Sequence, residues 1–354
     1  MSFSDKLSDV IHTIPAIDLV AAEQAKKELK RLTKPVGSLG VLEDIVVQLA
    51  GITGQAKPRI ERKDVVVMCG DHGIVDEGVS AFPSEVTQLM MVNFINAGAA
   101  VNVLARQVGA EVTVVDIGSK AMEVPENVIN RKVKAGTNNF AKGPAMSREE
   151  AAQAILVGIE TAQELAKKGS NVIALGEMGI GNTTPSAAIT SVLLGRPLEE
   201  GLVGRGSGIN DKSLLIKREA IKRGIEVNRP KADDALDVLA KVGGLEIAGM
   251  AGVALGAALS RIPVLLDGVI ASAAAMVAAR LQPAIIPYLM ATHLSVEPAH
   301  QYILEDLGIH PSLHLNMRLG EGTGATLFMP MMDSACRVLQ EMATYSDLGL
   351  PDPE

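Results

Sequence analysis

A chain of 354 residues with 47% hydrophobic content is long enough for a large α/β domain and a smaller one around a substantial core. A formal charge of -8, an aromatic share of 2% and no Trp argue against a nucleic-acid partner, which needs a basic face and stacking platforms, and leave the core to Ala, Val, Leu, Ile and Met. Two cysteines in unrelated contexts, Cys69 and Cys336, build neither a disulfide framework nor a zinc knuckle, and the start M-S-F-S-D-K-L-S-D has no apolar signal region, so a cytoplasmic setting is expected.

Taken in order, residues 1 to 58 read as helical. Ile17 to Arg31 is rich in Ala, Lys, Glu and Leu, T-K-P-V-G-S-L-G interrupts it, and Val41 to Leu49 resumes. The interruption is either a helix-helix turn or, through Lys34, Ser38, Gly37 and Gly40, a ligand loop. With no strand of its own, this segment is expected to pack as an accessory domain.

From Asp64 onward, apolar β-branched runs alternate with helical stretches. The runs are Val65 to Met68, Val112 to Val115, Val172 to Leu175, Val264 to Leu266 and Ala284 to Met290, and each ends in residues able to do chemistry. This alternation predicts an α/β fold: a parallel sheet with helices on both faces, and a ligand site at the carboxyl ends of the strands. Phe82 to Arg106 reads as one long helical pattern whose Met and Phe belong to the core. The loop Val79 to Pro83 before it offers a hydroxyl and apolar walls to a flat ligand, and Lys134 to Met146 lacks periodicity altogether. The runs Ile247 to Ser260 and Gly268 to Ala279, 14 and 12 residues without charge, read as buried helices too short for a membrane span.

Three glycine-bearing stretches stand out. In A-L-G-E-M-G-I-G-N-T-T-P-S, 174 to 186, Gly176, Gly179 and Gly181 let the backbone approach a ligand. Asn182-Thr183-Thr184-Pro185 reads as a helix start, with a polar N-cap and a proline at the first helical position. The stretch reads as a phosphate seat or as an ordinary strand-to-helix turn, and Glu177 within it calls for a cationic neighbour. In V-G-R-G-S-G-I-N-D, 203 to 211, a second nest of N-H groups lies near Arg205, Lys212 and Lys217; a solvated basic helix face reads equally well. In N-M-R-L-G-E-G-T-G-A-T, 316 to 326, Glu321 is held between Gly320 and Gly322, where no helical face accounts for it, and it is the best candidate general base in the chain. The six histidines form no H-E-x-x-H or Cys/His cluster, so no structural metal is assigned; Asp71-His72 reads as strand-end capping or, alternatively, as a metal or catalytic pair.

K-P-V-G-S-L-G-V-L-E (34 to 43), G-D-H-G-I-V-D-E-G-V-S-A-F-P (70 to 83), N-F-I-N-A-G-A-A-V-N-V-L-A-R (93 to 106), G-E-M-G-I-G-N-T-T (176 to 184) and R-L-G-E-G-T-G-A (318 to 325) resemble, as an ordered set over essentially the whole chain, the nicotinate-nucleotide:dimethylbenzimidazole phosphoribosyltransferases of cobalamin lower-ligand assembly. The resemblance implies a Rossmann-like sheet domain over 59 to 299, a small helical domain made from 1 to 58 and 300 to 354, and a homodimer. It implies transfer of the 5-phosphoribosyl group of nicotinate mononucleotide to 5,6-dimethylbenzimidazole, with no cofactor. It places the catalytic glutamate on Glu321, benzimidazole contacts on Ser80 and Gln88, and the nucleotide site on Glu177, the glycine loop after it and Lys217; Asp267, Ser295 and Arg318 lie in matching segments. Val36 and Val41 depart from the first motif at variable positions.

The chemistry agrees with that assignment. The pyridinium leaving group is already cationic, so a single carboxylate removing the azole N-H proton suffices. Two other readings are a nicotinamide-dependent dehydrogenase, which needs a G-x-G-x-x-G fingerprint that the sequence lacks, and a non-catalytic α-riboside binder, which would lack the glutamate found at 321.

Overall fold

In the computed structural model, which describes residues 2–352, six strands form one parallel sheet in the order β3-β2-β1-β4-β5-β6. They are β1 (Lys63–Gly70), β2 (Ala110–Gly118), β3 (Ile129–Asn130), β4 (Val172–Met178), β5 (Val264–Leu266) and β6 (Leu289–Ala291). Around them lie α1 (Phe3–Ile11), α2 (Leu19–Arg31), α3 (Val41–Thr53), α4 (Glu85–Ile95), α5 (Ala100–Val108), α6 (Arg148–Lys167) and α7 (Thr183–Leu194). The series continues with α8 (Asp211–Asn228), α9 (Ala235–Val242), α10 (Leu245–Leu259), α11 (Val269–Leu281), α12 (Ala299–Leu307) and α13 (Thr323–Glu341).

Alternation within the strands divides the core into two layers. Val66, Met68, Val115, Ile173, Leu175 and Leu266 face α6, α10 and α11, whereas Val65, Val67, Cys69, Val172, Ala174 and Leu265 face α3, α4, α5 and α13. Buried on both faces, such strands read as unbroken apolar runs, which is why four of them are visible in the sequence. The small residues of α10 serve its close approach to α6: a side chain at Gly158 would meet Val253 N at 2.7 Å.

The two ends of the chain meet. Leu32 and Thr344 form an antiparallel bridge, Tyr345 N donates to Arg31 O at 2.8 Å, and α2, α3 and α13 pack together. Through Phe328, Met329 and Met332, α13 belongs to the same apolar cluster as β1 and β4.

Three expectations are corrected. The run Ala284 to Met290 is a strand only at Leu289–Ala291; Pro283–Tyr288 coils as a 3-10 helix, since Pro287 carries no N-H for a ladder. The stretch Phe82 to Arg106 is two helices, broken at Asn96 to Ala99, where Ala97 takes φ 57. Asn182 sits at the start of α7 without capping it by its side chain, and Pro185 is the third helical residue, where its missing N-H is still one of the unpaired amides of a helix start. By length and composition alone Glu85–Val108 is apolar enough to cross a membrane, with 24 residues at mean hydropathy 1.3, but the break at 96 to 99 leaves helices of 11 and 9 residues.

Candidate active site

The sheet order reverses between β1 and β4, the place where α/β sheets open a crevice at the strand ends. A cavity of about 370 Å³ lies there. Its walls come from Val79, Ser80 and Phe82 after β1, Val86 and Met90 of α4, Glu177 to Thr183 at and beyond the end of β4, and Asp267 to Ala271 after β5. His293, Ser295 and Glu297 after β6, Gly206 and Ser207 before α8, and Arg318 to Glu321 before α13 complete them.

Glu321 is in the left-handed region, φ 63, between Gly320 and Gly322 at φ 88 each. A left-handed glutamate costs about 1–2 kcal/mol relative to the ordinary backbone, and it persists because the surroundings fix it. Gly176 in β4 supplies part of that fixing, since a Cβ there would lie 2.5 Å from the Glu321 carbonyl oxygen. The carboxylate points to the start of α5, where its Oε2 accepts Val101 N at 3.2 Å. Burial holds Glu321 above the ordinary carboxylate range, against the lowering effect of that hydrogen bond.

Glu177 lies beside it. Its Oε1 accepts Glu321 N at 3.4 Å and its Oε2 accepts the Asn182 side-chain amide, while the helical backbone of Asn182, φ -64 and ψ -20, is not that of a side-chain cap. Burial pushes Glu177 up to about 8; the Asn182 bond lowers it, while Asp267 and Glu246 raise it further. Asp267 accepts Gly322 N at 3.2 Å, Gly324 N at 2.7 Å and Ala325 N at 3.2 Å, and so secures the glycine-glutamate turn and the first turn of α13. Burial takes it to about 7, with these amides opposing.

At the other end of the cavity, Lys217 is 1% exposed. Its Nζ donates to Thr183 Oγ1 at 2.7 Å and to Gly204 O at 3.1 Å, and burial lowers it to about 8 with Glu297 opposing. The peptide at Gly206 is held on both sides: its N-H donates to Glu297 Oε1 at 2.9 Å and its carbonyl accepts Arg318 at 3.3 Å. Ser207 Oγ accepts Ala81 N at 3.3 Å, joining this turn to the loop after β1. Glycine backbone, the start of α7, one ammonium and one guanidinium together form an anion cradle.

Of the residues singled out in the sequence, Ser80, Glu177, Gly179, Gly181, Asn182, Thr183, Asp267, Ser295, Arg318, Gly320 and Glu321 line the cavity. Lys217 stands behind Thr183, Gly322 packs on Val65 and Gly176, and Gln88 is on the exposed side of α4. The sequence reading missed Glu297 and His293, which β6 delivers, and the Val101 N-H, hidden by the unrecognised helix break. It also missed the partner of His72: its Nε2 lies 2.7 Å from Glu246 Oε1, a pair fully buried beneath Gly179. His300 accepts Ser295 N at 2.9 Å and contacts Ser272 Oγ at 2.9 Å; burial drops it to about 3, so it is neutral and fixes the Ser295 turn. Among the described residues no group of three His, Cys, Asp or Glu side chains is placed to hold a metal.

A family model described as Phosphoribosyltransferase matches residues 14–350. The nicotinate-nucleotide--dimethylbenzimidazole phosphoribosyltransferase of Desulforamulus reducens is 54% identical over 346 residues, covering 97% of this chain and 98% of its own. That of Halalkalibacterium halodurans is 50% identical, covering 98% of this chain and 96% of its own. The crystal structure of the enzyme of the same name from Thermus thermophilus superposes with a TM-score of 0.89 at 42% identity, covering 95% of this chain and 100% of that one. A continuous match of this depth, over a parallel sheet whose cavity brings together an anion cradle and a strained glutamate, means that the chain belongs to the nicotinate-nucleotide–dimethylbenzimidazole phosphoribosyltransferase family.

Proposed function

We propose that this enzyme transfers the 5-phosphoribosyl group of nicotinate mononucleotide to 5,6-dimethylbenzimidazole, with Glu321 as the general base. The observation that carries the assignment is the position of Glu321: held left-handed between two glycines at the cavity wall, it has one oxygen tied to Val101 N and the other without a donor among the described residues. As one azole nitrogen bonds to C1′, the C1′–N bond to nicotinate breaks and its electron pair neutralises the pyridinium. The second azole nitrogen becomes acidic, and Glu321 takes its proton. A carboxylate held above its usual range by burial is the better base for this step. Glu177 borders the reacting C1′. Ser80 and the apolar Val79, Phe82 and Met90 wall the azole, and Gln88, on the exposed side of α4 and outside the cavity lining, is its more remote contact in this reading.

The 5′-phosphate is assigned to the cradle of Gly179, Gly181, Thr183 and Ser207, with the Gly206 peptide, already held by Glu297 and Arg318, beside it, Lys217 behind it and Arg318 at its rim. Phosphate oxygens suit such a group of amides at a helix start. The test is nicotinate release from mononucleotide plus dimethylbenzimidazole, with isolation of α-ribazole 5′-phosphate. Protein that binds both compounds and releases no nicotinate would return the reading to a non-catalytic riboside binder.

The same reading includes a homodimer, supported by the exposed Phe82, Leu89 and Val92 around α4. It includes a small helical unit from 1 to 58 and 300 to 354, supported by the contacts between the two ends. A cytoplasmic location is supported by two buried free thiols.

A further inference from the structure

Four carboxylates line the cavity, and their eight oxygens are not equally committed. Both oxygens of Glu177 and both of Asp267 accept hydrogen bonds from the protein. Glu321 has Oε2 on Val101 N, and Glu297 has Oε1 on Gly206 N. The remaining two, Glu321 Oε1 and Glu297 Oε2, have no hydrogen-bond donor among the described residues and are not among the buried atoms left without a partner, so each keeps accessible surface on a residue that lines the cavity, Glu297 Oε2 resting on one side against Gly204. Glu321 Oε1 is the proton acceptor proposed above. Glu297 Oε2 has no role in that scheme.

Its placement limits what it can meet. Glu297 is pinned by its own first oxygen to the cradle peptide and by its backbone N-H to Ser295 Oγ at 3.3 Å, so it sits at the inner edge of the phosphate end. The group next to a 5′-phosphate, on the way to C1′, is the ribose ring. A second anion beside that phosphate would be repelled by a free carboxylate oxygen; a neutral hydroxyl donor would not. Resting on the proposed function, we infer that Glu297 is a specificity-determining residue, accepting a hydrogen bond from a vicinal ribose hydroxyl through Oε2 and so selecting ribosyl over deoxyribosyl donors. A site built to accept a hydroxyl discriminates against its absence, because the acceptor is left desolvated and unpaired.

The experiment measures kcat/KM for nicotinate mononucleotide and for its 2′-deoxy and 3′-deoxy analogues, in the wild type and in Glu297→Ala and Glu297→Gln. The wild type should lose roughly 10- to 100-fold on at least one analogue, as expected for one hydrogen bond to a charged acceptor. In Glu297→Ala that penalty should fall toward unity, and the isosteric Glu297→Gln should lie between. Because Glu297→Ala also releases Gly206, inhibition by inorganic phosphate is measured alongside: a weaker phosphate constant reports the cradle, and only the ribose/deoxyribose ratio reports the hydroxyl. Ratios that are the same in all three proteins, or a wild type indifferent to both deoxy analogues, overturn the inference. If wild-type protein releases no nicotinate at all, it is the proposed function that fails.

Discussion

Replacing Glu321 by Gln separates chemistry from folding. The amide oxygen can keep the bond to Val101 N, and Gln has the same Cβ, so the left-handed turn at φ 63 is as strained as before. What the fold loses is a charge at the first turn of α5, worth about 0.3–1 kcal/mol, offset in part because a charge no longer has to be held in a buried place. What the reaction loses is its base, worth about 10²- to 10⁴-fold in rate, or roughly 3–5 kcal/mol. The kinetic loss should therefore exceed any change in stability several times over. Steady-state nicotinate release gives kcat, calorimetry gives binding of each substrate, and a thermal melt gives stability. The pH dependence adds a signature. Burial holds Glu321 above the ordinary carboxylate range, so wild-type kcat should fall as pH drops through that raised value, where the base becomes protonated, and the limb should be absent from the variant. A kcat within about threefold of wild type, which is only some 0.7 kcal/mol, refutes the assignment. If Glu177→Gln is instead inactive while still binding both substrates, the two glutamates have exchanged roles.

Glu177 gives a stability test. Its folded-state pKa is about 8 against 4.5 unperturbed, so between those values the folded protein keeps a proton that the unfolded chain releases, and stability falls as pH rises across that window. Thermal melts of Glu177→Gln from pH 5 to pH 9 should show a shallower decline, and an unchanged slope counts against a buried, protonated Glu177. Lys217→Ala removes a buried ammonium from behind the cradle and should raise KM for the mononucleotide by roughly 10- to 100-fold, with little effect on the azole; equal effects on both substrates would remove it from the phosphate end. Ser80→Ala should raise KM for the azole alone, and Gln88→Ala should act in the same direction more weakly, since Gln88 is on the exposed side of α4. Leu89, 65% exposed, should be a dimer contact, so Leu89→Asp should yield monomers by light scattering; a wild type that is already monomeric contradicts the proposal.

Legibility in the sequence followed burial. The cores of β1, β2, β4 and β5 were visible because both their faces are covered, which forces continuous apolar runs. Only two residues of β3 pair, too few to leave a pattern, and the β6 run was overextended because its apolar composition hides a proline-bearing 3-10 turn. The site was legible wherever backbone geometry dictated residue type: glycines around Glu321 and after Glu177 announce turns that few other residues can make. Glu297, Glu246 and the Val101 N-H were not legible, because nothing local distinguishes them. Each matters through a neighbour about 90 to 220 positions away, brought close by the sheet order.

The segment from Gly320 through α13 follows all six strands in the chain, yet it supplies both the glutamate at the cavity and the apolar lid on Val65, Val67 and Ala174. During synthesis, therefore, a sheet can be assembled with its strand ends in place while the proposed base is still absent and one face is covered only in part, by α3, α4 and α5. Activity and completion of the core then arrive with the same stretch of polypeptide. A chain interrupted before Gly320 would keep most of the cavity wall but have neither the proposed base nor the last part of the cover on that face, so it would expose apolar sheet surface and would not be a slow version of the enzyme.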